Sequence, residues 1–384
     1  MASFNAPVIA DPGARTAARR PSLETYHYTI FDRRSRPPIQ DILEIIEGSW
    51  GTEYARADKC YFKFDEEYVE WLLPEGCSFG VLARTETGAP VGCVVQVERE
   101  IFAYGEKKMS TYYGTMLSVR SEHRNVGVGQ RILERAFEEM FGARKADLHL
   151  CVLDAGQGGR PTIMKTTKRY DPSFDFLESV PMAVWGCTDR IVESDRYEPL
   201  RGVERLALLP PFAALLSFRA TAEDYRLPAR EVPLGEVMGR VGAGYAFATG
   251  PGQSAASMYA QTDRSGTLLF EFGARERCFV SYHITTVAKR GLPDCLNGNF
   301  QIIDPGTASP ANVVRALRHV NAKLLRDGGC LTTLALDTGV VSRWTLLRAG
   351  FTPSDRKLSF GLIGPRDKVA RFLPLKRPYL CDFF

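Results

Sequence analysis

A chain of 384 residues is long enough for two domains, each with a sizeable core. Its 45% hydrophobic and 24% charged residues are ordinary for a globular protein, and a formal net charge of +4 is too small to indicate a nucleic-acid partner. The nine cysteines are scattered and form no Cys-x-x-Cys pair, so we expect reduced thiols in a cytoplasmic protein without a metal site. No apolar run approaches the roughly 20 residues that cross a bilayer, so stable membrane insertion is not expected.

The first half begins with a polar tail and continues with helices and strands. Residues 1–24 are polar and locally basic, which predicts a disordered tail. From Ile39 to Ile46 apolar residues recur at helical spacing, and Gly48 is placed to end this helix. A further helix is predicted at 65–73, followed by strands at 79–84, 91–97, 98–104 and 110–119.

An Arg-x-x-Gly-x-Gly turn follows the last of these strands, within the stretch Ser118–Gln130. An amphipathic helix leaves the turn, Gly142 is placed to cap its end, and a strand is predicted at 148–154. Such a turn can direct several backbone N–H groups and the positive end of a helix dipole at one anion. Its two glycines, Gly127 and Gly129, permit a tight turn and close backbone approach. The stretch therefore predicts a pyrophosphate cradle, with a plain strand-to-helix turn as the alternative.

The second half repeats this plan after a predicted loop at 155–172 and an apolar bridging segment at 201–220. Strands are predicted at 267–272, 279–286, 299–303, 330–335 and 357–363, and helices at 311–325 and 340–348. We therefore expect an α+β protein with domains at 25–220 and 221–384. The turn equivalent to the cradle, Asp304–Pro310, lacks the glycine pair, so the second domain is expected to bind no cofactor and instead to form a wall of the substrate site.

The stretch Leu117–Phe137 resembles the acyl-CoA-binding motif of the GNAT superfamily of N-acetyltransferases. The resemblance implies a tandem duplicated GNAT fold, with mixed central sheets flanked by helices, and acyl-CoA as the co-substrate. It implies that the backbone beside the pantetheine arm belongs to Met116, Leu117, Ser118 and Val119. The residues that it implies around the pyrophosphate are Arg124, Asn125, Val126, Gly127, Val128, Gly129 and Gln130.

Other segments resemble eukaryotic N-myristoyltransferases, which are a fused pair of such folds. They are Phe62–Asp65, Val69–Pro74, Ala103–Met109 and Leu334–Asp337. This resemblance implies transfer of a fatty acyl group to an amine by direct attack. The acceptor it implies is a peptide N-terminal glycine, and a small amine is the next candidate. The chain departs from that family because it keeps both glycines of the cradle, where N-myristoyltransferases carry a Lys/Arg-rich turn. The acyl-chain length therefore stays open.

The general base of the predicted site is expected to lie outside the strand that leads into the cradle. The strand at 110–119 contains no Asp or Glu, although many acetyltransferases of the superfamily carry the base there. N-myristoyltransferases use their C-terminal carboxylate, and this chain ends in an aromatic segment that prefers burial, which would raise the pKa of the Phe384 carboxyl. Phe384 is therefore the expected base, with an ordinary packed tail as an equal alternative.

The remaining catalytic candidates lie near the cradle. The resemblance implies an oxyanion site built from backbone N–H groups of Met116, Leu117 or Ser118. Tyr113 is a candidate acid, with strand packing as its alternative, and Asp154 a candidate second base, with turn capping as its alternative. Two other functions stay open: a short-chain acetyltransferase acting on a small amine or a protein lysine, and a sensor that binds acyl-CoA without turnover.

Overall fold

The structure is a computed structural model that describes residues 25–53, 61–74, 78–103, 107–154, 159–187, 218–238, 245, 247–250, 262–288, 294–326, 329–373 and 379–380. The predicted tail and most of the predicted bridging segment lie outside these residues.

The strands of the described residues join in one mixed sheet. They are β1 (Tyr26–Phe31), β2 (Tyr61–Lys63), β3 (Ser78–Thr85), β4 (Pro90–Ala103), β5 (Lys107–Val119), β6 (Leu148–Asp154), β7 (Phe174–Glu178), β8 (Met182–Cys187), β9 (Ala229–Glu231), β10 (Phe247–Gly250), β11 (Ser265–Phe272), β12 (Glu276–Ala288), β13 (Cys295–Asp304), β14 (Gly329–Ala335), β15 (Thr352–Pro365) and β16 (Tyr379–Leu380). The main path of the sheet is β1-β3-β4-β5-β6-β15-β8-β14-β13-β12-β11-β9.

Helices cover both faces of this sheet. They are α1 (Ile39–Ile46), α2 (Glu66–Leu72), α3 (Val128–Phe137), α4 (Gly159–Tyr170), α5 (Ala222–Arg226), α6 (Leu234–Met238), α7 (Pro310–Arg326), α8 (Arg343–Arg348) and α9 (Arg366–Val369). The helical periodicity read from the sequence explains their placement, because the apolar stripe of each long helix is buried. Ile42 and Ile45 of α1, Ile132 and Phe137 of α3, and Leu317 of α7 are all inaccessible to solvent.

The two halves have the same strand plan. In the first, β3, β4 and β5 are antiparallel and β6 then pairs parallel to β5. In the second, β11, β12 and β13 are antiparallel and β14 pairs parallel to β13. The sheet also crosses from one half to the other, because β15 pairs with β6 and β8 pairs with β14.

Several local expectations were wrong. Gly48 does not end the first helix, which continues as a π-helical turn over Glu47–Gly51. Gly142 likewise lies inside a π-helical turn, Glu138–Ala143, that extends α3. A helical glycine costs only about 1 kcal/mol relative to alanine, and packing of the flanking apolar residues offsets it.

The expected loop at 155–172 contains α4, whose polar composition concealed it. Two adjacent buried threonines, Thr166 and Thr167, donate their hydroxyls to the carbonyls of Thr162 and Ile163, at 2.8 and 2.9 Å. This bonding satisfies polar side chains within the helix itself. The expectation of reduced thiols also fails in one place. Four buried cysteines are free, but Cys295 is disulfide-bonded.

Candidate functional site

The predicted cradle forms a left-handed turn between β5 and α3. Asn125 has φ 64° and Gly127 has φ 95°, so the chain reverses twice before the helix. Asparagine tolerates the left-handed region better than most residues, and glycine adopts it without a steric penalty. Gly129 lies in the first helical turn, where an added Cβ would come 3.3 Å from Cγ2 of Val119. Conformation therefore requires glycine at 127, whereas Gly129 keeps the approach to the helix end open.

The N-terminus of α3 offers unused hydrogen-bond donors. The N–H of Arg131 is the first to bond back into the turn, to the carbonyl of Gly127 at 3.0 Å. The N–H groups of Val128, Gly129 and Gln130 have no acceptor within the helix, as in any first turn. Gly129 and Gln130 are partly exposed. Together with the helix dipole, these donors could bind an anion at the turn.

Two arginines fix the turn against neighbouring segments. Arg124 donates from Nε to the carbonyl of Val119 at 2.8 Å and pairs with Glu53 at 3.0 Å. Arg120 pairs with Glu44 of α1. The Arg124 side chain is 36% exposed, so an anion on the cradle could reach it.

A β-bulge lies just before the cradle. Ser118 is opposite Cys93 and Thr115 is opposite Val95, so β5 carries one more residue than β4 between these pairs. Met116 in the bulge has φ 56°, which costs a residue with a Cβ about 1–2 kcal/mol. Strained backbone of this kind clusters at functional sites.

The bulge orients one peptide group. The Cys93 thiol lies 3.6 Å from the carbonyl oxygen of Met116, which therefore points toward β4. Because a trans peptide is planar, the N–H of Leu117 points the opposite way. This N–H is the donor that the bulge presents away from the neighbouring strand.

The sheet opens beside the bulge. Pairing between β5 and β6 ends at Gly114 and Cys151, and among the described residues no strand pairs with the remainder of β5 on that edge. Thr115, Leu117 and Val119 are correspondingly half-exposed. The opening, the Leu117 N–H and the cradle thus lie along one strand. An extended ligand with amide groups can pair with such an edge while its anionic end binds the cradle.

The point where the strands part holds a buried polar cluster. An added Cβ on Gly114 would lie 2.4 Å from Nε2 of His149 and 3.2 Å from Nε2 of Gln96. Burial lowers the pKa of His149 to about 3, so its imidazole is neutral. Its ring nitrogens and the Gln96 amide have no hydrogen-bond partner among the described residues. Gly114 is therefore required because the imidazole fills the space a side chain would need.

The catalytic candidates lie at different depths. Ser118 is 3% exposed, and its hydroxyl has no partner among the described residues. Tyr113 lies within a hydrophobic cluster that also contains Tyr379. The backbone of Asp154 ends β6 opposite Leu358, but its side chain lies outside the described part of the chain. Phe384 also lies outside it.

The last described strand, β16, begins at a buried residue, Tyr379. The N–H of Tyr379 donates to a carboxylate oxygen of the buried Asp337 at 3.0 Å, and its ring lies 5.3 Å from that of Phe360. Asp337 ends the Leu334–Asp337 segment, for which the sequence suggested no side-chain role. Since β16 is parallel to β10, and β10 is antiparallel to β4, β16 runs toward the part of β4 that faces the bulge.

The equivalent turn in the second half is closed. The carboxylate of Glu276 accepts from the N–H of Ser309 at 2.9 Å and from Nδ2 of Asn312 at 2.6 Å. It therefore occupies the N-terminus of α7 as an anion would. Nothing in the sequence singled out Glu276, because it precedes α7 by more than thirty residues. The sequence around Met116 likewise gives no sign that its backbone is left-handed.

Comparison with solved structures decides the fold. Saccharomyces cerevisiae N-myristoyltransferase with bound myristoyl-CoA aligns with 90% of this chain over 85% of its own, at a TM-score of 0.62 and 12% identity. The same enzyme with bound myristoyl-CoA and inhibitors aligns over 82% of its own chain, at a TM-score of 0.64 and 12% identity. The chain has the N-myristoyltransferase fold.

This likeness confirms the expected tandem GNAT-type α+β fold and the resemblance to N-myristoyltransferase, and at 12% identity it shows the fold alone. A putative acetyltransferase from Pyrococcus horikoshii aligns less closely, at a TM-score of 0.47 and 13% identity. No protein-family profile and no curated sequence matches the chain. Within the described residues, no helix is both long and apolar enough to cross a membrane.

Proposed function

We propose that this protein is an N-acyltransferase that moves an acyl group from acyl-CoA to an amine. One observation carries the proposal: the strained bulge at Met116 lies between an opened strand edge and a helix N-terminus whose first N–H groups have no acceptor within the helix. The pyrophosphate of the cofactor would bind the turn from Arg124 to Gln130. Its pantetheine arm would pair with the backbone from Met116 to Val119, which places the thioester at the bulge.

The proposed reaction is direct attack of a neutral amine on the thioester carbonyl. The N–H of Leu117 stabilises the oxyanion of the tetrahedral intermediate, because it is held in place before the charge develops. The intermediate then expels the coenzyme A thiolate and the ammonium loses a proton. Ser118 can supply a second backbone donor. The roles of Tyr113 and Asp154 stay predictions.

We propose the α-carboxylate of Phe384 as the base that takes this proton. The direction of β16 toward the bulge supports the assignment. Appending two residues after Phe384 should lower kcat strongly and leave the Kd for acyl-CoA unchanged. An unchanged kcat would remove this carboxylate from the mechanism.

We propose a fatty acyl group as the donor moiety and a peptide N-terminal glycine as the acceptor. The acceptor-binding domain would span 221–384, and the protein would be cytoplasmic. The support is the overall likeness to an enzyme solved with bound myristoyl-CoA. Calorimetric competition between myristoyl-CoA and acetyl-CoA tests the acyl length. Tighter binding of acetyl-CoA would favour a short-chain acetyltransferase instead.

Gly129→Glu tests the cradle directly. It places a carboxylate at the helix N-terminus, and we expect acyl-CoA affinity to fall on the order of 100-fold, or about 2.7 kcal/mol. Gly142→Glu is the matched control, because it adds the same charge at an exposed glycine with open space around it. Equal affinities for the two variants would overturn the cradle assignment. Release of free thiol from acyl-CoA on addition of amines separates an enzyme from a sensor.

A further inference from the structure

The short helix α8 presents a surface that combines large apolar side chains with arginines. Trp344 is 76% exposed, and Leu347, one turn further along the helix, is 40% exposed. Arg343 and Arg348 are also exposed, and each lies four residues from one of these apolar side chains, the spacing at which helical neighbours meet. These four residues are called the α8 face. The proposed reaction uses none of them.

The rest of α8 holds this face in a fixed position. Ser342 caps the helix by accepting the N–H of Thr345 at 3.2 Å, and both Thr345 and Leu346 are buried. After the helix, the N–H of Phe351 donates to the carbonyl of Leu346 at 3.0 Å, and the Phe351 ring is inaccessible to solvent. Trp344 is therefore exposed on a helix whose opposite side is packed into the core.

The charge around the α8 face is positive. Neither α8 nor the adjoining helix α7 contains an Asp or Glu, while α7 has three arginines and a lysine. Carboxylates of other elements balance part of this charge, since Arg318 pairs with Asp224 and Lys323 approaches Glu231. Arg343 and Arg348 form no ion pair with any residue that the structure describes. Their charge is thus available to an anionic partner.

Size and composition indicate what kind of partner fits the α8 face. A stable contact with a folded protein buries about 800 Å² on each side. The two apolar side chains of this six-residue helix supply only a small part of such an area. A bilayer surface needs no matching pocket, because tryptophan is favoured among the headgroups and each arginine near an anionic surface adds attraction. The α8 face has both of these features.

We propose that the α8 face docks this protein on a bilayer that contains anionic phospholipids. Trp344 and Leu347 enter the headgroup region, and Arg343 and Arg348 bind the anionic groups of the lipids. A helix of six residues is far too short to cross a bilayer, so the protein lies on the surface. The docking does not rest on the proposed acyl transfer, because the cradle belongs to α3 and the docking face to α8.

Flotation with lipid vesicles tests the docking. The full chain should bind vesicles of phosphatidylcholine with about 30% phosphatidylserine, and binding should weaken as salt screens the arginines. The double variant Arg343→Gln/Arg348→Gln should bind about 30-fold more weakly, since each arginine near an anionic surface accounts for about a fivefold change. Trp344→Ala should bind about tenfold more weakly because an apolar contact is lost.

Matched controls make the same chemical changes elsewhere on the surface. The double variant Arg33→Gln/Arg34→Gln removes two exposed arginines from the first half, and Leu373→Ala shortens an apolar side chain that is 56% exposed. Both should bind vesicles within about twofold of the wild type. The proposal is wrong if the α8 variants bind no more weakly than these controls. It is also wrong if the wild type binds pure phosphatidylcholine vesicles equally well.

Fluorescence separates the bilayer from other partners of the same face. Trp344 is the one exposed member of the described tryptophans, which are Trp50, Trp71, Trp185 and Trp344. Phosphatidylcholine brominated near the headgroup, mixed into the anionic vesicles, should quench the wild type and leave Trp344→Phe unquenched. Equal quenching of both would place a different surface on the membrane and overturn the proposal. So would a lipid-free dimer in sedimentation velocity that Trp344→Ala converts to a monomer, because the face would then bind a second copy of the chain.

Discussion

The N-termini of α3 and α7 occupy equivalent places in the two halves, and their surroundings differ. At α3 the first N–H groups have no acceptor within the helix, and the flanking turn is partly exposed. At α7 the carboxylate of Glu276 binds the N–H of Ser309 and the side chain of Asn312. A helix end attracts an anion in both cases. In the first half no residue of the helix accepts from these donors, and in the second half a carboxylate of the chain itself accepts from them.

The β-bulges that precede these two helices also differ, in their backbone conformation. Both halves insert one extra residue, in β5 and at Gln301 of β13. In the first half the bulge is strained at Met116, whereas among the described residues of β13 no residue has a positive φ. The strand β16 lies against β13, while the edge of β5 beyond Gly114 has no strand beside it in the described part of the chain. The two halves thus share a strand plan, and the features that we propose to bind acyl-CoA occur in the first half.

The largest expected effect separates a glycine needed for folding from one needed for binding. Gly306 has φ 51°, and an added Cβ would lie 2.4 Å from the carbonyl oxygen of Arg277. Gly306→Ala should therefore lower the free energy of unfolding by about 2–4 kcal/mol. Gly129→Ala should stay within about 1 kcal/mol of the wild type, because alanine favours the helix and meets only one methyl group.

Urea denaturation of both variants measures the two changes in the free energy of unfolding. Calorimetry then measures how Gly129→Ala binds acyl-CoA. Gly129→Ala should weaken acyl-CoA binding despite its small effect on stability. If Gly129→Ala is the more destabilising variant, the division between a functional glycine in one half and a structural glycine in the other is wrong.

The sequence predicts the elements around the cradle better than the order in which they pair. The alternation of β5 and the apolar stripe of α3 are strong, so the glycine turn between them could be located and given a ligand class. The short strands β7, β9, β10 and β16 carry too few residues for a periodic signal. The exchange of β15 and β8 between the halves depends on contacts over long sequence distances, which local patterns do not encode.

The candidate site was likewise only half predictable. The cradle needs glycines, and glycines are visible in a sequence. The left-handed conformation falls on Met116, a residue with no preference for it, and follows from the register that β4 imposes. The closing of the second cradle by Glu276 needs the β12–β13 pairing to bring a remote carboxylate to α7. Such features come from tertiary structure.

A smaller expected effect is on the pH dependence of stability, through one buried histidine in each half. Burial lowers the pKa of both His149 and His283 to about 3, whereas unfolded histidine titrates near 6.5. The unfolded chain therefore binds more protons below pH 6.5, and stability falls as the pH decreases from there toward the folded pKa. Each histidine should contribute a slope of about 1.4 kcal/mol per pH unit.

His149→Gln and His283→Gln should each flatten the decline in stability between pH 6.5 and 4.5, as measured by urea denaturation. His27→Gln is the control, because His27 is exposed on β1. A flattening in only one of the two buried variants would show that the halves differ in this respect as well, and would weaken the view that their cores are alike.

The smallest expected effect is on Glu276. Hydrogen bonds from the backbone of Ser309 and from Asn312 lower the pKa of the Glu276 carboxyl, which is partly exposed. Since the folded pKa lies below the unfolded value of about 4.3, the stabilisation is present above that pH and disappears as the pH falls through the folded pKa. Glu276→Gln should therefore lower Tm slightly at pH 7, and the difference from the wild type should shrink as the pH falls below the unfolded pKa. Because β16 lies against β13 and Gly306 keeps the turn closed, the variant should still bind one acyl-CoA per chain. A second equivalent bound in calorimetry would mean that Glu276 alone separates the two halves.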